Sequence, residues 1–377
     1  MVYSHHTTMA FSFGQVTNYL SRLSSALGEK EGISAVGIDI GTSSIKLVQL
    51  REKHGSAILE TYGEIALGPY AQAQVGQATS PPADKIQEAL VDLIREANVT
   101  AKTGGLSVPL ASSLITLLTL PTKNQDDLKT MVPIEARKYI PVPVSEVALD
   151  WFVIPEEEIK FLGTPNPNRS ANATDILMVA IHRQTLTRLE TIAKGAGVMP
   201  KFFEIEPFSF ARASYEHGTA PTMMIDLGAS STRVYIVEFG VIAISHTINR
   251  GGQDITLALA KSKSIPFNEA ETLKRTHGIG EEDSGRNALE FIFSEARRIL
   301  LTYQRKAGKA VSKVVLVGGG AQMKEIANIT RQYFDAPVVL GQPFERVQAP
   351  AFIGDVLKDA GPSFASAVGL ALRALEH

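Results

Sequence analysis

IDIGTSSIKL at residues 38–47 and IDLGASSTRV at residues 225–234 are one phrase written twice. Asp39 aligns with Asp226, Gly41 with Gly228, Ser43 and Ser44 with Ser230 and Ser231, and Lys46 with Arg233, all at one offset of about half the chain. Each copy reads as an apolar strand with an Asp at its end, a Gly at the bend, small hydroxyl side chains, and a returning strand. Glycine lets the backbone approach an anion closely, and successive N–H groups at such a bend make a concave anion site. Two such bends facing each other, each with a carboxylate, would hold a polyphosphate and its divalent cation from both sides. Ordinary hairpins also carry I-D-[IL]-G, but recurrence in the same order half a chain apart argues for an internal repeat.

Working outward, VVLVGGGAQMKEI at 314–326 is an apolar strand, three glycines (Gly318, Gly319, Gly320) and a helical start. It fits neither G-x-G-x-x-G nor G-x-x-x-x-G-K-[ST], and alone it is weak evidence for a nucleotide. Behind the second bend it is where an adenosine would lie against bare backbone. In this order the motifs resemble the actin-like ATPase superfamily, with two phosphate motifs, two connecting helices and an adenosine motif. The connecting helices correspond to 204–218 and 361–375, both rich in small residues. The resemblance covers about residues 34–374. It implies an α/β, bilobed actin-like ATPase fold: two related lobes, each a mixed sheet flanked by helices, with an inserted subdomain of the FtsA/PilM type.

Composition narrows the remaining classes. With 44% hydrophobic and 20% charged residues over 377 positions, the chain is a globular protein of two domains or one bilobed unit. A formal net charge of −2 gives no electrostatic argument for nucleic acid, so no nucleic-acid partner is expected. The absence of cysteine excludes disulfides, thiolate catalysis and Cys-ligated zinc. No run approaches the ~20 apolar residues of a membrane span, and the N-terminus lacks the basic start and apolar run of a secretory signal.

The expected organisation is a leader of residues 1–33, whose Phe13, Val16, Leu20, Leu23 and Leu27 recur at helical spacing. A first lobe follows at 34–110 and 175–220, interrupted by an inserted subdomain at 111–174. A second lobe occupies 221–252 and 312–377, interrupted by a helical subdomain on the nucleotide side at 253–311. The polar stretch 70–83 reads as an exposed loop. Pro133 should start or kink its helix. Pro141 and Pro143 force an extended stretch before the strand that carries the only Trp.

Asp39 and Asp226 are the candidate metal residues, acting on an Mg2+ shell through water. Gly41, Thr42 and Ser43, and Gly228, Ala229 and Ser230, should present backbone N–H groups to phosphate. Lys46 and Arg233 alternate with apolar neighbours, the pattern of solvent-facing charges; for Lys46 a phosphate contact is the other reading. Glu206, in I-E-P at the start of the first connecting helix, resembles the acidic residue with which actin-like ATPases position water. It also has the sequence setting of a helix-end residue, with Pro207 behind it, and both readings stand. Ala270-Glu271-x-x-Lys274-x-x-x-Gly278 resembles the helix end that these proteins use for ribose and adenine, against the plainer reading of a surface ion pair. With Gly251-Gly252 and Gly318 to Gly320 in the expected order, ATP is the expected ligand.

EARKYIPVPVSEVALDWFVI, residues 135–154, places the chain by resemblance within the PilM/FtsA family, on the PilM side. FtsA proteins usually end in a membrane-targeting helix, whereas this sequence stops after the second connecting helix. The resemblance implies an ATP-binding, at most slowly hydrolysing, cytoplasmic adaptor at the inner face of the inner membrane. Its expected partner is the N-terminal tail of a PilN-like inner-membrane protein, with membrane association indirect and self-association left open. Tyr139, Ile140, Pro141 and Pro143 are expected to border the partner groove. An FtsA- or MreB-like filament former and a small-molecule kinase are the alternatives.

Overall fold

The protein is described by a computed structural model that covers residues 32–155, 170, 172–216, 218 and 220–376. The amphipathic leader pattern at 13–27 and most of the 163–174 loop lie outside the described residues.

The internal repeat reappears as topology. In the first lobe, β1 (Ser34–Ile40), β2 (Ser44–Lys53), β3 (Ser56–Ala66), β4 (Thr103–Val108) and β8 (Met199–Ile205) form a sheet in the order β3-β2-β1-β4-β8. In the second, β9 (Thr222–Leu227), β10 (Thr232–Glu238), β11 (Val241–Ile248), β12 (Lys313–Val317) and β13 (Val338–Leu340) run β11-β10-β9-β12-β13. Both sheets have two antiparallel and two parallel pairings in the same sequence. The twice-written phrase is therefore the β1–β2 turn in one lobe and the β9–β10 turn in the other.

Two helices cross between the sheets: α4 (Glu206–Ser214) and α9 (Gly354–Leu375), with α1 (Ala83–Glu96) and α3 (Arg183–Gly195) covering the first sheet. Small residues let α4 and α9 touch, since a Cβ on Gly369 would lie 2.0 Å from the Ser209 carbonyl oxygen. Buried beneath them, Glu204 accepts from Arg212 through both guanidinium nitrogens (2.6 and 2.9 Å) and from Arg373 (2.6 Å). Helices α5 (Gly252–Lys263), α6 (Phe267–His277) and α7 (Gly285–Ala307) build the second lobe's helical part, and α8 (Ile326–Arg331) follows β12.

The insert is a three-stranded antiparallel sheet, β5 (Ser113–Leu120), β7 (Thr174–His182) and β6 (Val147–Val153) in that order, covered by α2 (Gln125–Ala136). This moves one boundary. The sequence reading returned the chain to the first lobe at residue 175, but β7 is the insert's central strand. Its Ile176, Met178 and Ala180 pack on the insert core, whereas Leu177, Val179 and Ile181 pack on the first lobe's core. A strand covered on both faces is apolar throughout, so its sequence does not say which sheet it joins. Pro133 neither starts nor ends α2: it lies in the last turn, where only the bond to the Lys129 carbonyl is forfeited.

Candidate functional site

The two turns have the same local geometry. Gly41 N–H donates to Ser44 O (3.0 Å) and Gly228 N–H to Ser231 O (3.1 Å), so these two amides close their own turns rather than face a ligand. The expectation that Gly41 and Gly228 donate to phosphate is corrected accordingly. The amides of Thr42, Ser43, Ala229 and Ser230 have no partner among the described residues. Their direction follows from the carbonyls beside them. Gly228 O and Ala229 O accept from Gly252 N–H (2.9 Å) and Gln253 N–H (3.0 Å) at the start of α5. In a trans peptide N–H and C=O point oppositely, so the Ala229 and Ser230 amides point away from α5. The turn tips meet across the lobes, with Thr42 Oγ1 3.3 Å from Ser230 Oγ.

Behind the tips lies a cleft of about 530 Å³, within the range of small-molecule sites. It is lined by the cleft residues singled out from the sequence, except Gly251. Gly251 is buried behind the second turn, where a Cβ would sit 2.5 Å from Ala229 O. The Gly-rich turn after β12 forms one wall. Gly318 has φ +86°, and a Cβ there would lie 2.3 Å from Asp226 Oδ1, so only glycine leaves that carboxylate in place.

Lys46 and Arg233 do not face solvent. Lys46 is buried, donates to Ser44 Oγ (2.8 Å) and pairs with Glu64 (3.2 Å). Arg233 pairs with Asp226 Oδ2 (2.8 Å) and approaches Glu206 Oε2 (3.5 Å from Nε). Glu206 opens its helix with Pro207 behind it, as the helix-end reading has it, but its Oε2 makes no capping bond there and accepts instead from Leu110 N–H (3.3 Å). Burial pushes the Glu206 carboxyl up to about 7, with Arg233 opposing and the charges of Asp39 and Asp226 adding to the rise. Burial likewise raises Asp226, against the pull of Arg233.

A carboxyl whose folded pKa exceeds its unfolded value binds more protons in the folded state. Its stabilising effect is full below about 4.5 and is lost as pH rises through about 7. Glu206→Gln is therefore expected to remove part of the stability lost between pH 5 and 8, by at most about 3 kcal/mol. Denaturant melts at both pH values check this; identical pH slopes in the two proteins would contradict it.

The Glu271–Lys274 pair is buried in the cleft wall, not exposed. Lys274 Nζ donates to Glu271 Oε2 (2.6 Å), Thr256 Oγ1 (2.8 Å) and Gly252 O (3.1 Å), which uses all three ammonium hydrogens. Lys274 thus ties α6 to α5, while Glu271 keeps acceptor capacity for a hydroxyl.

Sequence reasoning missed the role of residues 68–81. The sequence reading has an exposed loop over 70–83, whereas 68–81 cross from the first lobe to the second. Asn268 N–H donates to Gln74 Oε1 (2.8 Å), Ala78 N–H to Gln253 Oε1 (3.2 Å) and Thr79 N–H to Thr42 O (2.8 Å). Gly76, with φ +85°, would place a Cβ 2.8 Å from Glu271 Cδ. Gly76→Val is expected to displace this strap, speeding release of any ligand held in the cleft about tenfold or more, at a stability cost of about 1–2 kcal/mol. Stopped-flow release and limited proteolysis read the two effects; an unchanged release rate would remove the strap's role.

The sequence reading expects a divalent cation beside Asp39 and Asp226. Asp39 Oδ1 is buried with no hydrogen-bond partner, the setting in which a cation's water is accommodated. Asp226 offers less, because Arg233 already holds Oδ2. Among the described residues no group of three or more His, Cys, Asp or Glu could hold a metal directly.

A family model described as type IV pilus assembly protein PilM matches residues 37–375. Cell division protein FtsA of Borreliella burgdorferi is 25% identical over 389 residues, covering 89% of this chain and 90% of that one. A solved PilM-PilN type IV pilus biogenesis complex superposes with a TM-score of 0.77 at 24% identity, over 91% of this chain and 99% of that one. The ethanolamine utilization protein EutJ from Carboxydothermus hydrogenoformans gives 0.51 at 16% identity, over 92% and 91%. The fold is that of the actin-like ATPases.

Proposed function

The chain belongs to the type IV pilus assembly protein PilM family, and on that premise we propose an ATP-binding cytoplasmic adaptor that joins a PilN-like membrane protein to the pilus assembly platform. The observation that carries the nucleotide half is the pair of facing turns, whose Thr42, Ser43, Ala229 and Ser230 amides are free to receive phosphate. Asp39 would orient the hydrated Mg2+, which offsets phosphate charge when bound. Glu271 would accept from the ribose, and Gly318 to Gly320 would lie under the adenine side. Glu206, held by the Leu110 amide and beside Arg233, would orient water, and the burial that lifts its carboxyl to about 7 makes it a stronger proton acceptor than an ordinary carboxylate.

For the partner half, the likeness to a complex of PilM with PilN supports a PilN-like tail as ligand. The insert supplies a surface for it. Tyr139, Pro141 and Pro143 are exposed, on a turn and bend rather than the extended stretch expected from the prolines, and β6 is an edge strand. Ile140 is not part of that surface, because it is buried in the insert core. Nucleotide would act by shifting the population of lobe closure, and hence the geometry between first lobe and insert. No helix among the described residues is long and apolar enough to cross a membrane, so membrane contact is proposed through the partner.

Calorimetric titration of Mg-ATP, repeated with the N-terminal peptide of the PilN-like protein encoded nearby, tests both halves. Peptide affinity that changes with nucleotide supports the adaptor. ATP binding without peptide binding favours a second reading, a filament former, to which the FtsA similarity over 89% of the chain points. Nucleotide-dependent sedimentation would then follow.

A further inference from the structure

The two halves of the repeat use their cations differently, and the cause lies one strand away. Asp39 is opposite Lys46 across β1–β2, and Asp226 is opposite Arg233 across β9–β10. On the next strand, Lys46 faces Glu64 of β3, whereas Arg233 faces Thr247 of β11. Lys46 therefore has an acid of its own and leaves Asp39 Oδ1 without a partner. Arg233 has none on β11 and turns inward, its guanidinium lying between Asp226 and Glu206.

Arg233 lines the cleft beside the free amides of the second turn. Its Nη1 and Nε are directed to the two carboxylates, while Nη2 has no hydrogen-bond partner among the described residues. A guanidinium is a planar fork suited to two phosphate oxygens, and it keeps its charge when desolvated. Both carboxylates act to hold that charge in place against the opposing effect of burial.

We propose that Arg233 is a phosphate ligand of the second lobe, aimed by Asp226 and Glu206 at the terminal phosphates of the bound nucleotide. Asp226 is then a positioning residue for Arg233 rather than a metal residue, and the divalent ion belongs to the Asp39 side alone. This rests on the nucleotide reading of the cleft. Two consequences separate it from a symmetric metal clamp: ATP is held in part without Mg2+, and Arg233 distinguishes ATP from AMP.

The test is equilibrium binding of fluorescent ATP and AMP analogues to wild type, Arg233→Lys and Arg233→Ala, each with Mg2+ and with EDTA. Wild type should still bind ATP measurably in EDTA, about 30- to 300-fold more weakly than with Mg2+. Arg233→Ala should lose about 30-fold or more for ATP and under about threefold for AMP, and Arg233→Lys should fall between, because lysine keeps the charge without the fork. Wild-type ATP affinity in Arg233→Ala, an equal loss for AMP and ATP, or wild-type binding that vanishes in EDTA would each overturn the proposal. Near-wild-type AMP binding also shows that a variant is folded. If wild type binds neither ATP nor AMP, the nucleotide reading itself fails, and the role of Arg233 fails with it.

Discussion

Replacing Asp39 by Asn is expected to lower Mg-ATP affinity by about 30-fold or more while leaving the protein as stable as wild type, or more so. The opposite signs have one cause. Asp39 Oδ1 is buried with no hydrogen-bond partner, while its cross-strand neighbour Lys46 is committed to Glu64 and Ser44. A buried carboxylate oxygen left unsatisfied costs folding free energy, and a neutral amide of the same shape costs less. The same oxygen is what the water of a hydrated cation would donate to. Removing one partner of a buried charge interaction costs about 2–5 kcal/mol, which at about 1.4 kcal/mol per decade is a 30-fold to several-thousand-fold loss. Thermal melts beside calorimetric titration read both effects. Retained affinity would remove Asp39 from the site, and a lowered melting temperature would show that Oδ1 has a structural partner.

Glu204→Ala is expected to destabilise the protein by about 3–5 kcal/mol, read as a lower denaturant midpoint. Glu204 is completely buried, and burial alone would raise its carboxyl. Arg212 and Arg373 instead hold it below the usual carboxylate range. Arg373 also stacks 4.2 Å over the Phe202 ring. Removing the carboxylate leaves two guanidinium groups with little access to water beside each other, which is far costlier than losing the whole cluster. The triple variant Glu204→Leu, Arg212→Leu, Arg373→Met should therefore recover much of the loss. The cluster sits where β8, α4 and α9 meet, and Glu206 follows it by two residues. Glu204→Ala should thus also weaken nucleotide binding without touching the cleft. A shift under about 1 kcal/mol would mean that water relaxes the site.

The sequence by itself determined the repeat, the paired turns and the Gly-rich wall. Each depends on local chemistry that leaves a local mark: a carboxylate at a strand end, glycine where a Cβ would collide, small residues where α4 and α9 meet. Tertiary structure alone decided which groups those turns leave free. The Gly41 and Gly228 amides are spent within their turns, a choice made by hydrogen bonds that the residue types do not encode. The sheet that β7 joins was hidden by its uniform apolarity. The strap at 68–81 looked like an exposed loop because its contacts reach Gln253, Asn268 and Glu271, far along the chain. Lys46 and Arg233 occupy the same place in the repeat and read alike. What separates them is the residue opposite on the next strand, Glu64 in one lobe and Thr247 in the other, and that register exists only once the sheets have formed.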